Sequence, residues 1–460
     1  MYVADTIVAS ATAPGRAAVA ILRLSGPRAL AIARALWHPL NSSEPAPRAL
    51  RLGEIRNPHS GARLDRAMCA FFPAPRSLTG EDVAELHCHG GVYLVGRILG
   101  LAADLGARLA EPGEFTRRAW LNGRIDLTAA EAIADLVDAR GETALAQAIA
   151  QLGGALAERV SGLRDRLLAI RAHLEAEIDF ADEDLTLPSR RAIADDIEGL
   201  AADIRMLRDS FARGRLAREG ARAALIGKPN AGKSSILNLL LGANRAIVTP
   251  IPGTTRDVIE DAVNLGPWPL VLADTAGIRE GRDDVERIGI ERTRDEAVRA
   301  DLLLPVFDSA RPFDSDDADV VGATAGRAGV AILNKRDLMQ ALDADELRRR
   351  GLTLPLVDFS ATTPFGLGQL RGALTSALER LAAGAGPGDG IAISRERHRA
   401  ALTQTVEALA AARDSALAAM PPEIVAVDLA AAADALVSLT GVISNEDLLD
   451  AIFREFCIGK

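Results

Sequence analysis

Two hydrophobic patterns follow one another along the chain of 460 residues. Near the N-terminus, short apolar runs at 17–24 and 83–89 are bounded by Pro and Gly, which predicts strands in a segment that mixes α and β structure. From residue 127 apolar positions recur with the helical period through the runs 127–151, 156–178 and 193–211. The chain is therefore predicted to begin with an α+β domain and to continue as helices.

A third pattern, in which a strand is followed by a loop and a helix, repeats between residues 220 and 380. Its apolar strands fall at 223–226, 271–273 and 330–333, which is typical of a parallel sheet with crossover helices. A Gly-rich linker follows, and from residue 395 to the end the sequence again has a helical pattern. We interpret this order as one helical domain split by an inserted α/β domain. The predicted segments are 1–120, 121–217, 218–382 and 383–460.

Two local features give sharper structural expectations. Pro305 lies inside the apolar run 302–307, and because proline cannot donate to a ladder we expect a strand edge or a bulge there. Thr128 is followed three residues later by Glu131, which fits a capping box and predicts a helix beginning at that point.

Composition narrows the class of protein. The chain has 53 Lys+Arg against 63 Asp+Glu, a formal net charge of −10, which argues against a nonspecific coat for nucleic acid. Residues 1–120 instead hold 14 cations and 10 acids, so a surface facing RNA is more strongly expected there. Neither a run of about 18 apolar residues nor a basic-then-apolar leader is found, so we expect no membrane helix and no signal peptide.

The cysteine and histidine positions favour neither a disulfide framework nor a zinc site. Cys69, Cys88 and Cys457 are too few and too scattered for a framework, so a cytoplasmic location is expected. His87 and His89 flank Cys88 in an apparent strand. Two histidines on one side fall short of the three protein ligands of a catalytic zinc site, so a plain strand end is favoured over a metal site.

Lysine is rare beside 49 arginines, and the four lysines are Lys228, Lys233, Lys335 and Lys460. A coding bias toward Arg explains the imbalance, so a retained lysine marks a position of interest. Two of them lie in GKPNAGKS, residues 227–234, which fits G-x-x-x-x-G-K-[ST] between an apolar strand and a helical run. Backbone N–H groups and the helix N-terminus would hold phosphates there. Lys233 would reach the β- and γ-phosphates, and Ser234 would ligate Mg²⁺.

Further motifs follow in the order and spacing of a guanine-nucleotide domain. Asp274, in DTAG after an apolar strand, would reach Mg²⁺ through water, and Gly277 would reach the γ-phosphate. Asp337, in NKRD after the next strand, offers a carboxylate to the N1–H and N2–H₂ groups of guanine, which adenine lacks, while the stem of Lys335 covers the base. The remaining positions are the base-pocket pair Ser360 and Ala361 and the switch threonines Thr254 and Thr255.

The expected hydrolytic machinery departs from that of many regulatory GTPases. Ile278 stands where a glutamine that orients the attacking water is common. Glu286, in the presumed switch II, is the candidate for polarising this water through a bridging solvent molecule, and an exposed loop acid is the alternative interpretation. No in-cis arginine finger is evident, and Asn230 of the P-loop is a candidate for holding a monovalent cation in its place.

Taken together, these motifs resemble one family over essentially the whole chain, the MnmE (TrmE) family of tRNA-modification GTPases. The shared segments are APGRAAVAILRLSG, TGEDVAELHCHGG, PGEFTRRAWLNGRIDLTAAEAIADLVDA, IDFADED, GKPNAGKSS, IPGTTRD, DTAGIRE, NKRD and the terminal FCIGK. The last is highly specific among GTPases. The resemblance implies a dimer whose subunits have an N-terminal tetrahydrofolate-binding domain, a split helical domain and an inserted Ras-like P-loop domain with a mostly parallel sheet.

The resemblance also implies a reaction and partners. Family members act with the flavoprotein MnmG (GidA), which carries FAD, to modify the 5 position of the wobble uridine of certain tRNAs in a carboxymethylaminomethyl-type reaction. The one-carbon unit comes from 5,10-methylene- or 5-formyl-tetrahydrofolate. A heterotetramer with MnmG is expected, and G domains with bound GTP pair in a K⁺-dependent way. The alternative function is a ribosome-assembly GTPase that acts only as an RNA-binding switch, which predicts an appended module such as a KH fold, and the sequence shows none.

Carried over by motif, the resemblance assigns the binding residues. The GTP contacts are Asn230, Ala231, Gly232, Lys233, Ser234, Ser235, Thr249, Thr254, Thr255, Asp274, Thr275, Ala276, Gly277, Asn334, Lys335, Asp337, Ser360 and Ala361. The K⁺ ligands are Asn230, Thr249, Ile251 and Thr254, and the Mg²⁺ ligands are Ser234 and Thr255. The folate contacts are Arg23, Glu85, Arg124 and Lys460. Glu286 matches the hydrolytic glutamate of the family, whereas Arg124 replaces a lysine of at least one family pattern.

Cys457 has two interpretations. In the family this cysteine has been considered catalytic for the uridine chemistry. The alternative is that it packs in a terminal helix that brings Lys460 to the folate site. A prenylation box is not indicated, because Gly459 and a terminal Lys460 do not fit that motif.

Overall fold

The computed structural model describes residues 5–41, 46–179, 188–243, 262–272, 297–363, 365–383, 390–441, 446–454 and 456–460. Nine predicted site residues lie outside these ranges: Thr249, Ile251, Thr254, Thr255, Asp274, Thr275, Ala276, Gly277 and Glu286. The described residues form two compact units, one of residues 5–134 with 440–460 and one of residues 135–439.

The first unit is built on a seven-stranded sheet. Its strands are β1 (Ile7–Ser10), β2 (Ala17–Ser25), β3 (Trp37–Pro39), β4 (Arg51–Arg56), β5 (Arg63–Phe72), β6 (Val83–Gly90) and β7 (Arg108–Leu109). They lie in the order β3-β4-β5-β6-β2-β1-β7, and every pair is antiparallel except β1 with β7. The strands predicted at 17–24 and 83–89 are confirmed as β2 and β6, which are neighbours inside the sheet.

Helices complete the first unit. They are α1 (Ala29–Leu36), α2 (Val92–Asp104), α3 (Glu114–Leu121), α4 (Leu127–Asp138) and, from the end of the chain, α15 (Glu446–Arg454). The last residues of α4, from Asp135 on, already belong to the second unit. Helices α1 and α2 bury apolar residues such as Ile32 and Leu101 in one core with Leu22 and Leu86 of the sheet. This burial follows from the alternation along β2 and β6, which turns every second side chain to one face.

The end of the chain belongs to the first unit, which differs from the prediction that 383–460 continues the helical domain. Residues 440–460 group with the N-terminal sheet. The physical reason is an apolar cluster in which Phe453 and Phe456 are buried with Leu127 and Ala130 of α4. A helical pattern of apolar residues in the sequence identifies a helix, but it does not identify the surface on which that helix packs.

Helix α4 begins before the predicted capping box. The carboxylate of Asp126 accepts hydrogen bonds from the Ala129 N–H at 2.9 Å and from the Thr128 hydroxyl at 2.6 Å. Asp126 is therefore the capping residue, and Thr128 lies buried inside the helix with Glu131. The prediction that Thr128 opens the helix was wrong by two positions.

The second unit contains a helical bundle and a six-stranded sheet. The bundle helices are α5 (Glu142–Leu152), α6 (Ala155–Asp179), α7 (Arg190–Asp209), α8 (Phe211–Glu219), α13 (Glu396–Leu417) and α14 (Pro422–Val437). Helices from both sides of the sheet segment share one apolar core, in which Leu167 and Ile197 are buried with Leu402 and Leu429.

The sheet of the second unit is mostly parallel, as predicted. Its strands are β8 (Ala221–Ile226), β9 (Ala262–Leu265), β10 (Trp268–Leu272), β11 (Leu302–Asp308), β12 (Ala331–Asn334) and β13 (Leu356–Asp358). Their order is β13-β12-β11-β8-β10-β9, and only β9 with β10 is antiparallel. The accompanying helices are α9 (Lys233–Ala243), α10 (Ser315–Ala323), α11 (Ala344–Arg349) and α12 (Leu367–Ala383).

Pro305 lies in the interior of this sheet, so the expected strand edge was wrong. It is part of β11, which pairs with β8 on one side and with β12 on the other. The register toward β12 is the same on both sides of the proline, because Leu303 pairs with Gly329 and Val306 with Ile332. The strand therefore has no bulge there. The proline costs the sheet one N–H donor, and the pairing toward β12 continues beyond it.

Candidate functional site

The loop between β8 and α9 has the backbone geometry of a phosphate cradle. Gly227 and Gly232 adopt positive φ angles of 149° and 101°, and Asn230 adopts 63°. A Cβ on Gly227 would lie only 2.4 Å from the carbonyl oxygen of Val306, so no larger residue fits there. The loop ends at Lys233, the first residue of α9, so the helix dipole favours negative charge at the same place.

The ammonium group of Lys233 is held inside this loop. Its Nζ donates to the carbonyl oxygens of Gly227 at 2.7 Å and Lys228 at 2.8 Å. Burial lowers the pKa of Lys233 below its ordinary value, because desolvation disfavours the charged form. A phosphate in the loop would offset this cost with its negative charge. Ser234 and Ser235 follow on the first turn of α9, half-buried and exposed respectively.

Asn334 joins the phosphate loop to the base side of the site. Its Nδ2 donates to the carbonyl oxygen of Ala231 at 2.8 Å, and its Oδ1 accepts from the Ala361 N–H at 3.2 Å. A Cβ on Gly232 would lie 2.1 Å from the Asn334 Nδ2, so this close approach requires glycine. Three separate motifs of the sequence therefore meet at one amide side chain.

The carboxylate of Asp337 is oriented by hydroxyl groups. It accepts hydrogen bonds from Ser360 at 2.6 Å and from Thr362 at 3.0 Å. The hydrogen bond from Ser360, with further help from Thr362, lowers the pKa of Asp337. The group is therefore an ionised acceptor at neutral pH, as recognition of the guanine N1–H and N2–H₂ requires. Thr362 was missed by the sequence reasoning, although it lies two residues beyond the predicted Ser360.

Asp308 is a second residue that the sequence reasoning missed. It ends β11, and its carboxylate accepts from Lys335 Nζ at 2.7 Å. Lys335 itself has a positive φ of 66°, which places its stem out of the regular strand path. The ion pair fixes the end of a side chain that was predicted to cover the base. An acidic residue at the carboxyl end of a parallel strand was the available signal.

In the first unit, the structure brings together most of the predicted folate residues. Arg23 Nε donates to Glu85 Oε1 at 2.9 Å, and Arg23 Nη1 to the carbonyl oxygen of Gly459 at 3.4 Å. The Arg23 guanidinium also lies 5.7 Å from the centroid of the Phe115 ring. The Phe115 N–H donates to the carbonyl oxygen of the terminal Lys460 at 3.2 Å. Arg23, Glu85 and the tail thus form one cluster.

Arg124 lies apart from the contacts of this cluster. Its side chain packs beside Gly80, where a Cβ would be 3.3 Å from Arg124 Cγ. Its neighbour Asn122 donates through Nδ2 to the carbonyl oxygen of Thr79 at 2.7 Å, which ties the same two loops together. The structure therefore places Arg124 against Gly80, and its folate contact stays a prediction.

The cysteines differ in their surroundings. Cys69 and Cys88 are buried, and burial raises their pKa values to about 12 and about 11. Cys457 is half-buried, and its carbonyl oxygen accepts from the Gly113 N–H at 3.4 Å and the Lys460 N–H at 3.3 Å. The backbone of Cys457 thus supports the tail, which is consistent with the packing interpretation and leaves the thiol reaction a prediction.

The histidines beside Cys88 each face a carboxylate. His87 Nε2 lies 3.4 Å from Glu85 Oε2, and His89 Nδ1 lies 2.7 Å from Asp65 Oδ1. Within the described ranges, no group of three or more His, Cys, Asp or Glu side chains is placed to hold a metal ion. Among the helices in the part of the chain that the structure describes, none is long and apolar enough to cross a membrane.

The phosphate loop, the Asn334 junction and the oriented Asp337 carboxylate on a mostly parallel sheet define a P-loop GTPase. A family model described as the MnmE helical domain matches residues 127–457, and one described as the GTP-binding protein TrmE N-terminus matches residues 6–124. The chain belongs to the MnmE family of tRNA modification GTPases.

Curated relatives extend this similarity over the full length. The tRNA modification GTPase MnmE of Heliobacterium modesticaldum is 43% identical over 100% of both chains. The protein of the same name from Rhodospirillum rubrum is 45% identical over 99% of each, and that from Natranaerobius thermophilus 40% over 99% of each. Among solved structures, the G domain of the T. maritima FeoB iron transporter aligns with 35% of this chain and 98% of its own at 26% identity, with a TM-score of 0.26.

Proposed function

We propose that this GTPase drives modification of the 5 position of the wobble uridine in certain tRNAs, together with the FAD-carrying flavoprotein MnmG. The observation that carries the proposal is the position of the FCIGK tail. The backbone of Gly459 and Lys460 contacts Arg23 and Phe115, so the most family-specific segment meets the predicted folate residues. A GTPase that serves only as an RNA switch has no use for such a cluster.

The chemistry of the cluster suits a tetrahydrofolate that carries a one-carbon unit. Glu85 is accessible, with 18% of its side chain exposed, and its two oxygens can accept more hydrogen bonds than the one from Arg23. It is therefore available to the amino and N–H donors of a pterin. Lys460 and Arg124 supply positive charge for the carboxylates at the other end of folate. The donor is 5,10-methylene- or 5-formyl-tetrahydrofolate.

For GTP hydrolysis we propose two cations and one glutamate. Ser234 and Thr255 would hold Mg²⁺, and Asn230 would hold K⁺ together with Thr249, Ile251 and Thr254. Asn230 has a left-handed backbone conformation, with φ at 63°. This unusual conformation within the phosphate-binding loop supports a role for Asn230 beside the phosphates. K⁺ supplies the charge of the missing arginine finger, and Glu286 orients water.

The same proposal includes assembly. Two copies pair through their N-terminal units, GTP-bound G domains close on each other, and MnmG joins to give a heterotetramer that receives tRNA. The proposed domain division is 1–120, 121–217, 218–382 and 383–460, of which residues 440–460 pack within the first unit and contribute the terminal tail to the folate site.

The test is equilibrium binding of 5-formyltetrahydrofolate to the full-length protein. Glu85→Gln removes the ionised acceptor, so its dissociation constant should rise at least about tenfold, as expected for loss of a charge-assisted hydrogen bond. Deleting Lys460 should weaken binding in the same direction. The matched control is Arg63→Ala, which removes an arginine that is 67% exposed and pairs with Glu54 in the same sheet.

Absence of binding by well-folded wild-type protein that still binds GTP would contradict the proposal. That outcome would favour the alternative, a ribosome-assembly GTPase that acts as an RNA-binding switch.

A further inference from the structure

Lys228, whose side chain has no role in the nucleotide motifs, connects the P-loop to helix α10. Its Nζ lies 2.6 Å from Asp314 Oδ2 and 2.6 Å from Asp317 Oδ2. Asp314 is the N-cap residue of α10 and accepts from the N–H groups of Asp316 and Asp317, while Asp317 accepts from the Asp314 N–H. The two carboxylates that form this capping box therefore also hold the ammonium of Lys228.

The bridge is partly withdrawn from water. Asp317 has 4% of its side chain exposed and Lys228 has 13%. Two carboxylates at one helix N-terminus repel each other, and an ammonium bound to both balances their charge. Burial opposes ionisation of Lys228, but the hydrogen bonds to Asp314 and Asp317 outweigh it and raise the pKa of the lysine. The bridge is therefore charged at neutral pH.

The bridge fixes one end of the loop that surrounds the phosphates. The carbonyl oxygen of Lys228 accepts from Lys233 Nζ at 2.8 Å, so the backbone at Lys228 contacts the phosphate-binding lysine. At the other end, Asn334 Nδ2 holds the carbonyl oxygen of Ala231 at 2.8 Å. The P-loop is thus held on both sides by contacts within the protein. A loop that is already ordered loses less conformational entropy on binding.

We propose that Lys228, through its pair with Asp314 and Asp317, positions the P-loop for the nucleotide. Lys228 is a positioning residue, because its ammonium is bound to α10 and it acts through its own backbone and Lys233. Loss of the bridge should weaken GTP and GDP binding. It should change the hydrolytic step much less, because Glu286, the residue proposed to orient the attacking water, is not part of the bridge.

The test uses Lys228→Met in the full-length protein, which keeps the apolar stem and removes the charge. We expect a fluorescent GDP analogue to dissociate about tenfold faster, which corresponds to one charge-assisted hydrogen bond. The KM for GTP should rise while kcat stays within about twofold. Lys228→Arg keeps the charge and should recover most of the loss.

The acidic side of the bridge provides matched variants. Asp317→Asn should reproduce Lys228→Met, and the double variant should be no weaker than either single variant, because both remove the same interaction. Asp316→Asn is the control: it makes the same charge change on the same helical turn, at an exposed residue that does not pair with Lys228.

A purely structural bridge gives a different result. If Lys228→Met and Asp317→Asn lower the melting temperature of the nucleotide-free protein but leave GDP dissociation at the wild-type rate, the proposal is overturned. Equal effects of Asp316→Asn and Asp317→Asn on nucleotide dissociation would overturn it as well, because charge alone would then explain the change.

Discussion

At the scale of single residues, base selection depends on Asp337. Its carboxylate is fixed by hydroxyl groups of Ser360 and Thr362 and is ionised at neutral pH. Asp337→Asn keeps the shape but replaces one acceptor oxygen with an N–H₂ donor, which no longer matches the guanine N2–H₂ group and matches a carbonyl at the same position. We expect nucleotide preference to shift from guanine to xanthine, measured by competition between GDP and XDP.

The control for Asp337→Asn is Asp319→Asn, an exposed acid on α10 that should leave base preference unchanged. Unchanged preference in Asp337→Asn itself would refute the assignment of the base pocket. A protein that binds neither nucleotide would mean that the carboxylate also holds the Ser360 loop in place.

The motifs identified residue types, and the structure adds the partners. Lys335 was predicted from NKRD, but its acceptor Asp308 lies 27 residues away along the chain. Lys228 had no predicted role for the same reason, since Asp314 and Asp317 come from a helix far beyond the loop. A motif describes spacing along the backbone, whereas an ion pair depends on how strands are ordered in the sheet.

At the scale of elements, the strands could be predicted and their positions in the sheet could not. The apolar run at 302–307 is confirmed as β11. Whether a strand is central or at an edge depends on its neighbours, and these come from segments distant in sequence, so Pro305 was placed wrongly. The predicted start of α4 was wrong by two residues. Asp126 and Thr128 are both residue types preferred for helix capping, and only the side-chain geometry shows that Asp126 is the cap.

Helix α3 begins in a network whose stability depends on pH. The Glu114 carboxylate accepts from Arg108 Nη2 at 2.7 Å and from Arg118 Nη2 at 2.9 Å, and the Arg118 side chain is 2% exposed. Burial opposes ionisation of Glu114, but hydrogen bonds from Arg108, the Glu111 N–H and Arg118 outweigh it and lower its pKa below the ordinary 4.5.

A carboxyl group whose pKa is lower in the folded state stabilises the fold above its unfolded pKa. The contribution of Glu114 is therefore complete above about pH 4.5 and is lost as the pH falls through the folded pKa. We expect Glu114→Gln to lower the free energy of unfolding by about 2 kcal/mol at neutral pH. Urea unfolding of the variant should also depend less on pH between about pH 5 and about pH 3, the range around the usual carboxyl pKa.

Glu111→Gln is the matched control for this prediction, because Glu111 is exposed on the same turn and should change neither quantity. If Glu114→Gln follows the same acid unfolding curve as wild type, the carboxylate does not stabilise the first unit in the way its contacts indicate.

At the scale of the whole molecule, two parts of the fold are each built from segments that are distant in sequence. Residues 440–460 rejoin the first unit, and α13 and α14 rejoin the bundle begun by α6 and α7. The split of the helical bundle could be predicted from the sequence, because its two helical segments have the same composition and period. The packing of residues 440–460 in the first unit could not be predicted, because the sequence does not show that Phe453 and Phe456 pack against α4.

Asp135 joins the three segments that meet where the sheet is inserted into the bundle. Its Oδ1 accepts from Arg218 Nε at 2.9 Å, at the entry to β8, and from Arg395 Nη2 at 2.7 Å, at the return to α13. The side chains of Asp135 and Arg395 are 10% and 9% exposed. Asp135→Asn removes the negative charge that these two arginines share at a poorly hydrated place, which costs more than loss of a surface pair.

We therefore expect Asp135→Asn to lower the free energy of unfolding of the second unit by about 3 kcal/mol, measured by urea unfolding. The matched control is Asp203→Asn, which breaks a pair with Arg166 on the bundle surface, where the arginine is 51% exposed, and should cost less than about 1 kcal/mol. Because Asp135 pairs with Arg218 and Arg395 and with none of the described residues of the nucleotide site, Asp135→Asn should bind GDP with wild-type affinity below its unfolding transition. Equal costs for the two substitutions would mean that the junction adds no more stability than an exposed ion pair.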